Sequence, residues 1–397
     1  MPGNMLVAHG GGPTPVINCS LLGALEEAKK HGEIKKTYGA RFGAEGILSG
    51  DLMDLGVIPE GEIAKLSDTP ASAIGSCRRK LSEADYPRVL ECFEKHNIRY
   101  FFYNGGNDSM DTCHRINRLA LESGYELRII GIPKTIDNDL AETDHSPGFG
   151  SAARYAAISA LELAMDAAAL PIHVVVMELM GRNAGWVTAA SALFSSRMPC
   201  EHLVYLPERP LEKKRFLEDV SAAWDKKRGV LVTVSEGLKD PEGRAYGDTG
   251  IRDGFGHAIP GGTAQILSDA IITGLKLKSR SEKPGLLGRV SMAHRSPVDR
   301  VEAYEAGAFA VKSAVEGKSG FMVAIEASRK PGYSSRMKLA ALEKVANVEK
   351  TFPEAWINSE GNGVSDDFAA YCLPLIGPEA PQYAYLGKEI SFRSSSC

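Results

Sequence analysis

The chain has 397 residues, too many for one ordinary core and suited to two domains, and its 44% hydrophobic and 24% charged residues are those of an average globular protein. A formal charge of −4 gives no field that would draw nucleic acid or an anionic membrane, so an anionic ligand needs a local basic pocket. No apolar run reaches the ~20 residues of a membrane span, the first residues lack the basic region of a secretory signal, and the seven cysteines include no C-x-x-C pair. We therefore expect a cytoplasmic protein with reduced thiols, no structural zinc, and neither nucleic acid nor membrane as partner.

Along the chain, Met5–His9 reads as a strand and Val16–Lys30 as a helix, with Gly10, Gly11 and Gly12 between them. Glycines there let backbone N–H groups approach a phosphate at a helix start, although an ordinary βα turn also uses glycine for positive φ. Arg78 and Arg79, in GSCRRK, are further anion candidates. The strand Arg99–Tyr103 runs into Asn-Gly-Gly-Asn-Asp-Ser and the helix Ser109–Ser123. Gly105 and Gly106 again suggest close phosphate approach, and Asp108 and Asp111 suit Mg²⁺, unless Asp108 or Ser109 simply caps the helix.

The strand Leu127–Ile132 ends in Pro-Lys-Thr-Ile-Asp-Asn-Asp. Asp137 and Asp139, two apart, point the same way in an extended segment, and Asp137 beside Lys134 and a metal is suited to accept a proton from a hydroxyl. A polar turn would use the same Asp and Asn residues but leaves Lys134 and Thr135 unexplained. After the helix Gly150–Ala169, the apolar strand His173–Met177 opens into Met180-Gly181-Arg182-Asn-Ala-Gly-Trp. There Arg182 could grip a phosphate bidentately or serve as a surface ion-pair residue. The helix Asn183–Leu193, strand Leu203–Leu206, helix Glu212–Lys227, strand Val230–Val234, helices Gly262–Leu277 and Asp299–Glu316, and strand Gly320–Ile325 complete the pattern. Arg280 and Arg289 are two more anion candidates. The stretch after Pro353 is the least readable.

Continuous apolar strands alternating with helices predict an α/β fold of two Rossmann-like α/β/α lobes with mostly parallel sheets. Ligands then bind at the carboxyl ends of strands, here in the cleft between the lobes. Neither G-x-x-x-x-G-K-[ST] nor G-x-G-x-x-G is present, which argues against a P-loop and a dinucleotide dehydrogenase.

In this order the segments resemble the phosphofructokinase family, most specifically at PKTIDND and MGRNAGW, over roughly Met5 to Lys318. The resemblance implies a reversible transfer of a phosphoryl group to the 1-hydroxyl of fructose 6-phosphate, with Mg²⁺, in a homodimer or homotetramer. It divides the chain into a larger donor-binding lobe, 1–147 with about 285–335, and a smaller sugar-phosphate lobe, 148–284 with about 336–397. Gly11, Gly12 and Arg78 look like the donor phosphate site, with Gly105, Gly106 and Asp108 alongside. Asp137 matches the general base, with Lys134 and Arg182 as catalytic partners. Thr135, Asp139, Met180, Gly181, Arg182, Glu236 and Arg289 match substrate contacts, and Arg280 looks like an arginine supplied by a neighbouring subunit. Asp108, Asp139 and Asn107 are the implied metal ligands.

Pyrophosphate-using relatives resemble this chain at Asp108 and Lys134, where short ATP-using ones carry glycine. A carboxylate at Asp108 would repel the α-phosphate of ATP, so pyrophosphate is the expected donor and phosphate the product. An ATP-dependent enzyme, sedoheptulose 7-phosphate as acceptor, and a silent regulatory subunit are the alternatives. The chain departs from the family at Asn107, usually an acid, at His173, usually a cross-subunit arginine, and at Leu286, usually aromatic or histidine.

Overall fold

The computed structural model describes residues 1–252, 258–260, 262–377 and 381–386; the end of the expected second segment of the smaller lobe, with Cys397, lies outside the described residues. Its strands are β1 (Gly3–His9), β2 (Ile34–Ala40), β3 (Leu52–Asp54), β4 (Ile98–Gly105), β5 (Arg128–Pro133), β6 (His173–Leu179), β7 (Glu201–Tyr205), β8 (Val230–Ser235), β9 (Asp248–Arg252), β10 (Ala258–Pro260), β11 (Lys278–Glu282), β12 (Phe321–Ser328) and β13 (Ser334–Ala341). Two larger sheets form. One has seven strands in the order β13-β12-β5-β4-β1-β2-β3, the other four in the order β11-β6-β8-β7. Within these two sheets pairing is parallel except at the two edges of the large one, where β13 and β3 run antiparallel to β12 and β2; β9 and β10 form a separate antiparallel pair.

Both sheets are covered on both faces, which is why their central strands read as unbroken apolar runs. In the large sheet Leu6, Ala8, Phe101 and Ile129 join one core while their neighbours Met5, Val7, Phe102 and Ile130 join another. In the small sheet Val175, Met177 and Leu231 face one core, and Val174, Val176, Val230 and Val232 the opposite one.

The helix Pro297–Val315 returns to the large sheet and lies against the helix Ile17–Ala28. Two glycines make that crossing close. A Cβ on Gly23 would fall 2.0 Å from the Tyr304 carbonyl oxygen, and one on Gly307 would fall 1.9 Å from that of Ser20. The pairing of β13 carries the large sheet through Ala341, across the point near 335 where the sequence suggests a lobe boundary. The expected helix Asn183–Leu193 is instead a short helix, Trp186–Ala190, followed by a 3₁₀ stretch, Ser191–Arg197, in which Phe194 leaves helical geometry.

The strand order places the site. From β1 the chain goes to β2 on one side and returns at β4 on the other, so a crevice opens between the carboxyl ends of β1 and β4. The turns at Gly10–Gly12 and Gly105–Gly106 line it.

Candidate active site

The first glycine turn is held by the segment before Arg78. Gly11 has φ +76; its N–H donates to the Cys77 carbonyl at 2.9 Å, and Ser76 Oγ donates to the Gly11 carbonyl at 2.7 Å. Arg78 and Arg289 then flank Gly12: a Cβ there would lie 2.9 Å from Arg289 Nη1 and 3.8 Å from Arg78 Nη2. Lys134, almost wholly buried, donates from Nζ to the Gly12 carbonyl at 2.7 Å, and its own N–H bonds the Gly105 carbonyl at 3.0 Å. Thus one lysine ties together the two glycine turns and the end of β5. Burial lowers its pKa to about 8, against the pull of Asp137 and with the push of Arg289.

Three residues on, the chain turns tightly. Thr135 Oγ1 accepts from the Asp137 N–H at 3.1 Å, and the Thr135 N–H donates to the Pro147 carbonyl at 3.2 Å. Asn138 sits at φ +53 between the two aspartates. Asp137 keeps part of its surface open, yet burial raises its pKa to about 7, with Asp139 and Glu236 pushing the same way and Lys134 and Arg78 opposing. Burial likewise raises the carboxyls of Asp139 and Glu236. A carboxyl poised near neutrality beside three cations is suited to take a proton from a hydroxyl.

From the small sheet come the loops after β6 and β8. Gly181 has φ +128 and its carbonyl accepts from Ser235 Oγ at 2.6 Å; a Cβ on Gly237 would overlap the Arg182 carbonyl. The two loops therefore lie back to back, with Glu236 on one and Arg182, exposed, on the other. A pocket lined by Ile136, Tyr155, Glu178, Met180, Pro284 and Gly288 joins this side to the turn carrying Asp137.

A family model described as Phosphofructokinase matches residues 4–314. The chain belongs to the phosphofructokinase family. It is 40% identical over 392 residues to a pyrophosphate–fructose 6-phosphate 1-phosphotransferase of Methylococcus capsulatus, covering 96% of this chain and 93% of that one. It superposes with a TM-score of 0.87 on the crystal structure of a pyrophosphate-dependent phosphofructokinase from Nitrosospira multiformis, at 39% identity and covering 96% and 94% of the two chains. A sulfofructose kinase of Alkalicoccus urumqiensis is 33% identical over 354 residues, 88% of this chain and 91% of that one.

Within this phosphofructokinase fold, Arg280 lies exposed on the edge strand β11, opposite Val175. Arg289, expected at the sugar phosphate, lies against the glycine turn at Gly12. His173 is buried at the start of β6, its Nε2 3.8 Å from Asp166, and burial lowers its pKa; it is no outward counterpart of a cross-subunit arginine. Arg79 is bonded to Glu45 and Asp85, and Asp111 to Arg115 and Asn347, so both serve the scaffold.

The expected metal ligands divide. Asn107, in the amide orientation that satisfies its neighbours, donates to the Val345 and Val348 carbonyls at 3.2 and 3.1 Å, and Asp108 is exposed and paired with Lys80 at 3.3 Å. Asp139, in contrast, keeps its Oδ1 buried and without a partner. One or two carboxylates plus substrate phosphate oxygens are what Mg²⁺ takes, so Asp139 fits that ion and leaves Asp137 free as the base.

Sequence reasoning missed four residues here. Glu178 is a buried acid in β6 whose Oε1 pairs with Lys283 at 2.7 Å and whose Oε2 accepts from the Ala264 N–H at 3.0 Å. An acid inside an otherwise apolar strand was its signal. Tyr155, Lys80 and Lys350 carry no local signal of that kind.

Proposed function

We propose that this chain transfers a phosphoryl group from pyrophosphate to the 1-hydroxyl of fructose 6-phosphate, giving fructose 1,6-bisphosphate and phosphate. The donor lobe in this reading is the large sheet with its glycine turns, and the small sheet carries the sugar-phosphate site. The observation that carries the reading is the Asp137 turn: a carboxyl poised near neutrality, with Lys134, Arg78 and Arg289 around the glycine turn beside it. The similarity to named pyrophosphate-using relatives over nearly the whole chain supports the donor.

Pyrophosphate would lie along Gly11, Gly12, Gly105 and Gly106, glycines that let its oxygens come close to the backbone, with Arg78 balancing its charge. Met180, Gly181, Arg182 and Glu236 would hold the sugar phosphate, with Thr135 shaping the turn. Asp137 takes the proton of the 1-hydroxyl as that oxygen attacks the terminal phosphorus; the bond from phosphorus to the bridging oxygen breaks, and phosphate leaves with the electron pair. Lys134 and Arg289 offset the charge spread over the transferring group, the main task in phosphoryl transfer. Asp139, whose Oδ1 is buried and without a partner, would hold Mg²⁺, which would supply further charge neutralisation.

Asp108 follows the second glycine turn, Lys80 follows Arg78, and the two pair at 3.3 Å. In this reading the pair forms the mouth of the donor site, and the Asp108 carboxylate there would repel the α-phosphate of ATP, which favours pyrophosphate. The test is a donor and acceptor matrix. Fructose 6-phosphate with pyrophosphate should give bisphosphate and phosphate in equal amounts, and bisphosphate with phosphate should regenerate pyrophosphate. Turnover with ATP alone would overturn the donor assignment. Preference for sedoheptulose 7-phosphate would overturn the acceptor, and silence with every pair would leave a regulatory subunit.

Cytoplasmic location and assembly into a homodimer or homotetramer belong to the same proposal. In support of assembly, Arg280 stands exposed on β11, an edge strand among the described residues, where a second copy could meet it.

A further inference from the structure

The reading above makes the direction of the Asp137 side chain decisive, and part of what fixes it comes from beyond residue 314, outside the span that the family model matches. Asn138, between the two aspartates, is fully buried and left-handed, a conformation that persists only where the surroundings dictate it. Its amide is engaged on both sides. Nδ2 donates to Tyr371 Oη at 2.8 Å, while Oδ1 accepts from the Ser146 N–H at 3.1 Å and from Lys350 Nζ at 3.3 Å.

Lys350 does more than meet Asn138. Its ammonium donates to the carbonyls of Asp144 at 2.8 Å and Thr143 at 3.3 Å, using its remaining protons within the same loop. Its own N–H donates to the Asp139 carbonyl at 2.7 Å, and the preceding Glu349 forms a bridge with Leu140. Tyr371 Oη donates in turn to the Asp144 carbonyl at 2.8 Å. The segment that follows Asp137, Asn138 to Leu140, is therefore tied to Glu349–Lys350 and to Tyr371.

The same lysine reaches the other side of the cleft. Its carbonyl accepts from Trp186 Nε1 at 3.4 Å, and its ammonium lies 5.1 Å from the centre of the Trp186 ring. Trp186 begins the short helix that follows Met180–Arg182, and it packs against Tyr371 with ring centres 5.4 Å apart.

We propose that Lys350 and Tyr371 are positioning residues: through Asn138 they set the turn that aims Asp137 and lock it to the segment bearing Arg182. The inference rests on the assignment of Asp137 as the base. Catalysis of this kind depends on geometry held to well under an ångström, so loosening the turn costs turnover rather than binding.

Tyr371→Phe removes only a hydroxyl, and Lys350→Met removes the ammonium at similar length. Each is assayed in the full chain, with whichever donor the wild type uses, both alone and combined with Asp137→Asn. We expect kcat to fall about 10-fold in Tyr371→Phe and about 100-fold in Lys350→Met, with both KM values within about 3-fold of wild type. In the Asp137→Asn background neither should lower the residual rate by more than about 2-fold, because there is no base left to aim. A purely structural role would instead multiply through in both backgrounds, and that result overturns the proposal, as does an unchanged kcat in Tyr371→Phe. If Lys350→Met does not fold, Tyr371→Phe decides alone. Wild-type turnover in Asp137→Asn itself would remove the base assignment, a failure distinct from additivity of the two outer variants.

Discussion

The turn Lys134–Asp139 and the mouth formed by Lys80 and Asp108 both carry charges that the proposed reaction uses, and they are built in opposite ways. In the turn, Lys134 is buried and bonded to Gly12 and Gly105, Thr135 caps the Asp137 N–H, and the carboxyl of Asp137 is pushed up to about 7. At the mouth, Lys80 and Asp108 meet at 3.3 Å with side chains 68% and 79% exposed, in a pair that solvent screens to little energy. Burial buys the turn a shifted pKa and a fixed geometry, which proton transfer needs. Exposure leaves Lys80 and Asp108 only position and sign of charge, which in the proposed reading select the donor.

The comparison can be broken by exchanging the two properties. Lys134→Met removes a buried ammonium from between the glycine turns and should lower kcat by about 100-fold or more, in steady-state assays with saturating substrates. A loss under about 3-fold would place Lys134 with the scaffold.

The pH profile of kcat/KM comes next. Below about 7 Asp137 holds its proton and cannot accept another; above about 8 Lys134 loses the charge that steadies the transferring group. The profile should be a narrow bell, falling about 10-fold per pH unit on each limb. Lys134→Met should abolish the alkaline limb and keep the acid one.

A smaller effect is expected at the mouth. Asp108→Gly should change the ratio of pyrophosphate to ATP activity by about 10-fold toward ATP, with the melting temperature altered by little more than the loss of a first-turn acid. An unchanged ratio would move donor choice away from this pair.

The smallest effect is on stability. A carboxyl whose folded pKa lies above its unfolded value of 3.8 costs stability as pH rises through that value, and the full cost is reached above about 7. Asp137→Asn should therefore melt a few degrees higher than wild type at about pH 8 and at the same temperature at about pH 3. Equal melting at both would mean that Asp137 is not strained by its surroundings.

Much of the fold was legible because the sheets are covered on both faces: β1, β4, β5, β6 and β8 appear as apolar runs within two or three residues of their bounds. Strands β2, β11 and β13 escaped notice since their exposed residues are lysine, arginine and serine, as in KSRSE, and leave no apolar run. The glycine and aspartate turns were visible because function there needs unusual residues at strand ends. Arg289 could be recognised as an anion contact but not placed beside Gly12, since its position depends on how the lobes meet. Lys350 and Tyr371 could not be read at all: they touch Asn138 across 212 and 233 residues, and a lone lysine or tyrosine bears no mark of its distant partner.

The central claim, that Asp137 is the base, is tested most directly by measuring fructose 6-phosphate binding and single-turnover phosphoryl transfer in Asp137→Asn. The account predicts binding within about 3-fold of wild type and transfer slowed by about 100-fold or more. Transfer at the wild-type rate, with binding intact, would contradict it.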